Sequence, residues 1–137
     1  MIESVHSIKL AREIDKVCKQ MGKVMDVLIE VNIGGEESKS GFAPEELESA
    51  ILEISKFSNI KVKGLMTIPP ICEKKEEICQ YFDKMRKLFI DISAKNMDNV
   101  DIVYLSMGMS DDFEEAIKYG ANIVRIGTAL FGKRNYK

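Results

Sequence analysis

The 137-residue sequence has few of the residues that build disulfide frameworks, metal centres or membrane spans. It contains three cysteines, none of them in a CxxC pair, and a single histidine. Free cysteine usually packs as a small apolar residue, so we interpret all three as structural thiols of a reducing compartment. No apolar run approaches the ~20 residues that cross a bilayer, and the charged first residues lack the apolar centre of a signal sequence. The sequence therefore predicts a cytoplasmic protein without a metal site.

A strong charge of either sign is also absent, because 20 basic residues stand against 22 acidic ones. The formal net charge of −2 gives no electrostatic reason to expect nucleic acid or an anionic membrane as a partner. No linker, repeat or low-complexity tract divides the chain, and 45% of its residues are hydrophobic. We therefore expect a single domain over residues 1–137.

Segments with helical periodicity alternate with strand-like segments along the chain. Apolar stripes, caps and glycine stops predict helices at residues 7–21, from Pro44 onward, at 74–94 and at 110–120. Apolar runs predict strands at residues 24–33, 60–67, 100–106 and 122–127, with residues 1–4 as the stump of one more. A short helical turn, TALFG, follows the last strand.

This alternation predicts βαβ units and an α/β fold with a parallel sheet. The sheet is either an open, doubly wound one or part of a (β/α)8 barrel. Four or five strands cannot close such a barrel, which typically takes ~250 residues. Uncovered edges of a parallel sheet invite pairing with another chain. We therefore expect an open sheet, a fragment of a barrel, or an oligomer that covers its edges.

In parallel α/β folds the functional site lies at the carboxyl ends of the strands, so polar residues there are candidates. On the first of the long strands, Glu30 and Asn32 share a face with Leu28, which predicts either an interior site or a satisfied polar layer. Met66, near the end of the next strand, either lines that interior or fills the core. In the glycine-rich loop between these strands, we interpret Lys39 as a solvated charge and not as a catalytic amine.

The SMGMS loop, residues 106–110, runs from a strand into a predicted helix. Such a loop presents free backbone amides, which is how proteins commonly bind phosphate, whereas the simpler interpretation is a turn capped by Ser110. The two aspartates that follow would repel an anion on the helix axis. We therefore expect a phosphate beside the loop, held by Ser106, Gly108 and Ser110.

The last predicted strand carries Arg125 between two apolar residues. A buried arginine is costly unless it is paired, so we expect Arg125 to point inward toward an acceptor. Gly127 and Thr128 follow at the start of the terminal helical turn. The loops after the last two strands are the usual phosphate position in (β/α)8 barrels, so these two loops, with Arg125 between them, predict a phosphate-bearing ligand.

Six segments, spread over essentially the whole chain, closely resemble the pyridoxal phosphate homeostasis protein family. They are IESVHSIKLA (2–11), LIEVNIGGEESKSGF (28–42), GLMTIPP (64–70), YFDKMRKLF (81–89), LSMGMSDDFEEAI (105–117) and VRIGTALFG (124–132). The last two are the most specific. The resemblance implies a partial (β/α)8 barrel of the alanine racemase N-terminal type, with pyridoxal 5′-phosphate at the strand ends.

Members of that family are regarded as cofactor-binding regulators of vitamin B6 balance, without an established catalytic activity. The resemblance implies that Ser106 and Gly108, together with Gly127 and Thr128, form the phosphate cradle. It also implies that Met66 lines the ring pocket and that Arg125 lies beside the pyridine nitrogen. An arginine there keeps that nitrogen unprotonated and weakens the ring as an electron sink, which suits a carrier better than a catalyst. We therefore expect a binding protein that is not an enzyme.

The sequence also departs from the family. The family's Schiff-base lysine lies at the end of the first barrel strand, upstream of anything present here, so the resemblance implies a C-terminal portion that starts at the fourth strand. Glu3 and His6 stand where the family usually has histidine and aspartate. Without that lysine we expect binding that is non-covalent at most and weakened to the micromolar-to-millimolar range, which corresponds to ~4–8 kcal/mol.

Two other functions stay open at this point. One is an enzyme, either a relative of the pyridoxal-phosphate-dependent racemases and decarboxylases or another barrel acting on a phosphorylated metabolite. Racemase chemistry needs a lysine and a second base, and neither has a convincing candidate here. The other is a remnant that binds no cofactor and persists as an oligomerising scaffold. The expected partners are a small-molecule cofactor and, through the open sheet edges, either another copy of the chain or the missing N-terminal half.

Overall fold

Parallel strands and helices alternate in the computed structural model, which describes residues 1–133. The strands are β1 (Ile2–Val5), β2 (Met25–Glu30), β3 (Ile60–Met66) and β4 (Val100–Ser106). The helices are α1 (Ile8–Gln20), α2 (Leu47–Ile54) after a 3-10 turn (Pro44–Glu46), α3 (Lys75–Ser93), α4 (Phe113–Lys118) and α5 (Thr128–Phe131). The predicted α/β fold is confirmed, and the predicted stump at residues 1–4 is the strand β1.

The four strands lie in the order β1-β2-β3-β4, and every neighbouring pair is parallel. Right-handed crossovers between strands in this sequential order place the connecting helices on the same face of the sheet, as in a barrel. A doubly wound sheet would instead need a reversal of strand order. The sheet is therefore of the barrel type, with one face under the helices and an opposite face that we call the inner face.

The hydrophobic core lies between the helices and the sheet. Val27 and Ile29 of β2 and Leu65 of β3 are fully buried in it, packed with apolar residues of the helices. Because side chains alternate along a strand, their neighbours Leu28, Glu30 and Met66 point to the inner face. The core contributed by the helices consists of Ala11, Leu47, Ile51, Ile54, Ile78, Phe82, Met85, Ile92 and Ala116.

Most predicted helix boundaries agree with the structure to within one or two residues. The predicted cap of α1 is confirmed, because the Ser7 hydroxyl accepts a hydrogen bond from the Leu10 amide at 3.2 Å. The predicted start of the fourth helix at Ser110 is wrong. Residues 109–112 form a turn in which the Met109 carbonyl accepts from the Asp112 and Phe113 amides, and α4 begins at Phe113. The carboxylate of Asp112 accepts from the Met109 amide at 2.6 Å. Asp112 therefore precedes α4 and does not lie in its first turn.

The predicted strand at residues 122–127 is also wrong as a regular strand. It contributes one isolated bridge, between Ile123 and Ser106. The side chain of Asn122 explains the interruption, because its Oδ1 accepts from the Leu105 amide at 2.8 Å and its Nδ2 donates to the Val103 carbonyl at 2.7 Å. The side-chain amide of Asn122 thus binds the backbone N–H and C=O groups at the edge of β4 that a neighbouring strand would otherwise bind. The segment still runs along the end of β4.

Gly64 permits an unusually close approach of β3 to β4. A Cβ atom at this position would lie 2.0 Å from the carbonyl oxygen of Tyr104 and 2.7 Å from its carbonyl carbon. Gly64 is paired with Tyr104 beside an irregularity in the register of the two strands. The close backbone contact that a glycine inside a strand pattern suggests is therefore present here.

All three cysteines are free: Cys18 is buried, and Cys72 and Cys79 are half-buried. Within residues 1–133, no group of three His, Cys, Asp or Glu side chains is placed to hold a metal ion. None of the helices in the same range is long and apolar enough to cross a membrane.

Candidate functional site

The register of the sheet places three residues from neighbouring strands in one row at its carboxyl edge. Glu30 is paired with Met66, and Met66 is paired with Ser106. All three side chains belong to the inner face because they follow residues buried under the helices. Met66 is 4% exposed and Ser106 is fully buried. Met66 therefore lies on the inner side, one of the two positions that the sequence left open.

The side chain of Arg125 reaches back from the segment after β4 to this row. Its Nη1 donates to the Ser106 hydroxyl at 2.7 Å, and its Nη2 donates to the Thr67 carbonyl at 2.9 Å. Two hydrogen bonds to fixed acceptors hold the planar guanidinium in one orientation. The prediction that Arg125 points inward toward an acceptor is confirmed.

Ser106 links the guanidinium to a carboxylate from the far side of the sheet. Its hydroxyl donates to Glu3 Oε2 at 2.9 Å while it accepts from Arg125. Glu3 belongs to β1 and Ser106 to β4, so the chain of hydrogen bonds spans all four strands across the inner face. The Ser106 hydroxyl thus uses both its donor and its acceptor capacity within the protein. Its role is to hold Arg125 in position.

Thr67 fixes the other end of the guanidinium. Its amide donates to the Ser106 carbonyl at 3.1 Å, and its hydroxyl donates to the Val31 carbonyl at 2.7 Å. The Thr67 carbonyl is then left to accept from Arg125. One buried residue therefore joins the ends of β2, β3 and β4 to the arginine.

The electrostatic environment of Arg125 is a balance of burial and nearby carboxylates. Burial lowers the pKa of its guanidinium, whereas the charges of Glu3, Asp112 and Glu30 act in the opposite direction. Arginine stays protonated at any physiological pH because its ordinary pKa exceeds 12. The half-buried cation is thus permanent.

The loop after β4 and the start of α5 meet at Ser110. The Ser110 Oγ accepts from the Gly127 amide at 3.3 Å and from the Ala129 amide at 3.1 Å. Ser110 is therefore not the cap of α4; its hydroxyl instead holds the first turn of α5. Gly108 has φ +94°, and a Cβ there would lie 2.6 Å from the Cβ of Ala116, so glycine is needed where the loop passes α4.

A cavity of about 660 Å³ opens between this loop and α5. Four of the seven predicted site residues line it: Ser110, Arg125, Gly127 and Thr128. A Cβ added to Gly127 would meet no atom within 4 Å, so the space beside its backbone is open. Ser110, the backbone of Gly127 and the cation of Arg125 therefore border one open volume at the carboxyl end of the sheet.

The other three predicted residues, Met66, Ser106 and Gly108, are not among the residues that line this cavity. Met66 and Ser106 form the buried layer below Arg125, and Gly108 turns the loop. Sequence reasoning did not select Thr67 or Lys133, although Lys133 lines the cavity, and it noted Glu3 only as a departure from the family. Nothing in the local pattern marks Thr67, because its role depends on three strand ends meeting.

The glycine-rich loop after β2 is better ordered than its composition suggests. Asn32 donates to the Glu36 carbonyl at 2.8 Å and accepts from the Glu36 amide at 3.3 Å. Lys39, which we interpreted as a solvated charge and not a catalytic amine, is partly exposed and also makes local contacts: its Nζ lies 3.0 Å from Glu36 Oε2 and donates to the Pro69 carbonyl at 3.3 Å. The neighbouring β3–α3 loop brings this carbonyl acceptor from 30 residues away. Lys39 thereby links two loops at the carboxyl edge.

Comparison with known sequences points to one family. The model of the family described as alanine racemase, N-terminal domain, matches residues 1–135. The pyridoxal phosphate homeostasis protein of Aquifex aeolicus is 49% identical over 136 residues, and that of Pseudomonas aeruginosa is 38% identical over 135 residues. These matches take in 99% and 98% of this chain but 59% and 56% of the two relatives. The chain therefore spans somewhat more than half the length of the relatives.

Solved structures give the same fold. A protein from Bifidobacterium adolescentis, described as unknown, superposes with a TM-score of 0.90 at 40% identity, over 95% of this chain and 52% of the other. PipY from Synechococcus elongatus, solved with PLP bound, superposes with a TM-score of 0.83 at 27% identity, over 96% and 60% of the respective chains. An alanine racemase of Clostridium difficile, at 22% identity and a TM-score of 0.68, shares the fold. The partial barrel of the alanine racemase type is thus confirmed.

Proposed function

The chain belongs to the family described as alanine racemase, N-terminal domain, and from this premise we propose that it binds pyridoxal 5′-phosphate and serves in the homeostasis of that cofactor, without catalysing a reaction. The names of its relatives and the PLP bound to PipY support the cofactor. The observation that carries the proposal is the convergence of Ser110, Arg125, Gly127 and Thr128 on one cavity of about 660 Å³.

The residues around the cavity fit a phosphate ester. The amides of Gly127 and Ala129 both donate to one oxygen, the hydroxyl of Ser110. Converging donors of this kind attract an anionic oxygen. The open space beside Gly127 leaves room for a group to approach the backbone. Ser110, Gly127 and Thr128 would hold the phosphate, with Ser106 and Gly108 shaping the loop beneath it.

Arg125 and Met66 would serve the ring of the cofactor. When bound, pyridoxal phosphate supplies a reactive aldehyde and a ring that accepts electrons. The guanidinium of Arg125 is fixed by Ser106 and Thr67, and a permanent cation beside the pyridine nitrogen keeps that nitrogen unprotonated. This weakens the ring as an electron sink, and it is the reason for proposing a carrier and not an enzyme.

We propose that the 137-residue chain alone holds the cofactor without a covalent bond. Without a covalent bond, affinity would rest on phosphate and ring contacts. Such contacts place the dissociation constant between micromolar and millimolar, which corresponds to ~4–8 kcal/mol. The outer edge of β1 is unpaired within residues 1–133, and we propose that another copy or the segment corresponding to the remainder of the relatives covers it. Sedimentation of the purified chain would report the first of these.

The test is a titration of the chain with pyridoxal 5′-phosphate, followed by the change in cofactor absorbance. The Gly127→Val variant places a branched side chain in the open space of the cavity, so its affinity should fall at least about tenfold, or ~1.4 kcal/mol. The matched control is Ala94→Val, which adds similar bulk at an exposed residue after α3, remote from the carboxyl edge of β4. That variant should titrate like the wild-type chain.

Two results would contradict this proposal. If the wild-type chain shows no saturable change up to millimolar cofactor, it does not bind pyridoxal phosphate by itself, and the remnant interpretation gains support. If Gly127→Val binds as tightly as the wild-type chain while folding normally, the site lies elsewhere. Racemisation of alanine by the cofactor-loaded chain would contradict its assignment as a protein that is not an enzyme.

A further inference from the structure

A phosphate bound in the cavity proposed for the cofactor would bring more negative charge than Arg125 can balance. A phosphate monoester carries about −1.5 to −2 charges at neutral pH. Asp111 also lines the cavity and adds a carboxylate of the same sign. Arg125 provides one positive charge and already directs two of its donors to Ser106 and Thr67. Because the proposed function assigns Arg125 to the ring nitrogen, a bound phosphate would lack a counter-charge unless another residue lining the cavity carried one.

The neutral donors at the start of α5 do not supply the missing positive charge. The amides of Gly127 and Ala129 both donate to the Ser110 hydroxyl. They contribute partial charges, and one turn of helix carries only a small dipole. A full positive charge close to the phosphate, besides Arg125 at the ring, would neutralise a dianion in this cavity.

Lys133 is in position to supply it. The helix α5 ends at Phe131, and Gly132 follows with φ +79°, which turns the chain out of the helix. Lys133, the next residue, lines the same cavity as Ser110, Arg125 and Thr128. We infer that Lys133 is a phosphate-binding residue whose ammonium group neutralises the ligand's phosphate; this inference rests on the proposed function.

Two other lysines near the carboxyl edge are engaged elsewhere. Lys39 is held between Glu36 and the Pro69 carbonyl, and Lys75 pairs with Glu115. Neither of them lines the cavity. Within residues 1–133, Lys133 is therefore the lysine that lines the cavity.

A cation of this kind determines which ligands the chain selects. Its attraction acts on the phosphate and is indifferent to the substituent at the 4′ carbon. Pyridoxal phosphate, pyridoxine phosphate and pyridoxamine phosphate should therefore bind with affinities within about threefold of one another, which is under ~1 kcal/mol. Pyridoxine without its phosphate should bind far more weakly. The chain thus selects phosphorylated vitamers as a class.

The experiment uses pyridoxine 5′-phosphate, which has no aldehyde, and measures its dissociation constant by calorimetry at low and moderate salt. Lys133→Gln should weaken binding about five- to tenfold and flatten the salt dependence, because one ion contact is lost. Lys133→Arg should stay within about twofold of the wild-type chain, since it retains the charge. The control is Lys23→Gln, which removes an exposed lysine before β2, at the opposite end of the sheet, and should leave binding unchanged.

The outcomes separate the inference from the proposed function. If the wild-type chain binds pyridoxine phosphate and Lys133→Gln binds it equally well, the role of Lys133 is refuted and the cofactor site stands. If Lys133→Gln weakens phosphorylated and unphosphorylated pyridoxine alike, its effect does not act through the phosphate, and the inference fails. If borohydride attaches pyridoxal phosphate to Lys133, this residue is a nucleophile and not a counter-ion. If the wild-type chain binds none of the phosphorylated vitamers, both proposals fall together.

Discussion

Replacing Gly64 by alanine should strongly destabilise the protein, because there is no space for a methyl group between β3 and β4. The new Cβ would lie 2.0 Å from the Tyr104 carbonyl oxygen, whereas ordinary contacts begin at 3.4 Å. The atoms it would meet belong to the backbone of Tyr104 and cannot rotate away. The two strands would have to separate by more than 1 Å, which is enough to break neighbouring hydrogen bonds of the ladder.

The size of the effect follows from these two costs. Overpacking typically costs about 1–3 kcal/mol, and each lost hydrogen bond costs about 0.5–1.5 kcal/mol. Alanine recovers about 0.4–1 kcal/mol by restricting the unfolded chain. With two hydrogen bonds lost, the net loss is about 1–6 kcal/mol, a large part of the total for a domain whose free energy of unfolding is about 5–15 kcal/mol.

Urea denaturation followed by circular dichroism measures this loss. At a typical slope of about 2 kcal/mol per molar urea, the midpoint should fall by about 0.5–3 M. Gly127→Ala is the matched control: its φ of −118° is ordinary, and its Cβ would meet no atom within 4 Å. This variant should lower the free energy of unfolding by no more than about 0.5 kcal/mol. Equal midpoints for Gly64→Ala and Gly127→Ala would refute the close approach of β3 to β4.

Two further predictions concern the inner face and its charges. Ser106→Ala removes the buried hydroxyl between Arg125 and Glu3 and should lower the free energy of unfolding by about 1–3 kcal/mol, measured by heat or urea. Unchanged stability would contradict the hydrogen bonds from Arg125 through Ser106 to Glu3. The control is Ser93→Ala, at an exposed serine. On the same sheet, the Lys63 side chain donates to Asp101, and this contact lowers the pKa of the Asp101 carboxyl below its usual value of 3.8. A lowered folded-state pKa stabilises the protein above the ordinary carboxyl pKa, and the gain is lost as the pH falls through the lowered value. Asp101→Asn should therefore lose less stability between pH 5 and pH 2 than the wild-type chain; parallel pH profiles would contradict this.

The class of fold could be predicted from the sequence because it depends on local periodicity. Apolar residues three and four apart mark α1 and α3, and continuous apolar runs mark β2 and β3, whatever the rest of the chain does. The predicted strand at 100–106 agrees with β4 residue for residue. The end of the chain was predicted less well, since Asn122 and Ser110 use their side chains to replace backbone hydrogen bonds with partners 17 to 19 residues away.

Local sequence patterns were enough to predict a parallel α/β chain with an inward-pointing arginine near its end. They were enough because helix and strand periods, turn glycines and a charge within an apolar run are all properties of neighbouring residues. Three relations became visible only in three dimensions: Glu3 reaches Ser106 over 103 positions of sequence, Thr67 fixes Arg125, and Lys133 shares the cavity. These relations depend on which strand ends and loops come together in space, and no local pattern carries that information.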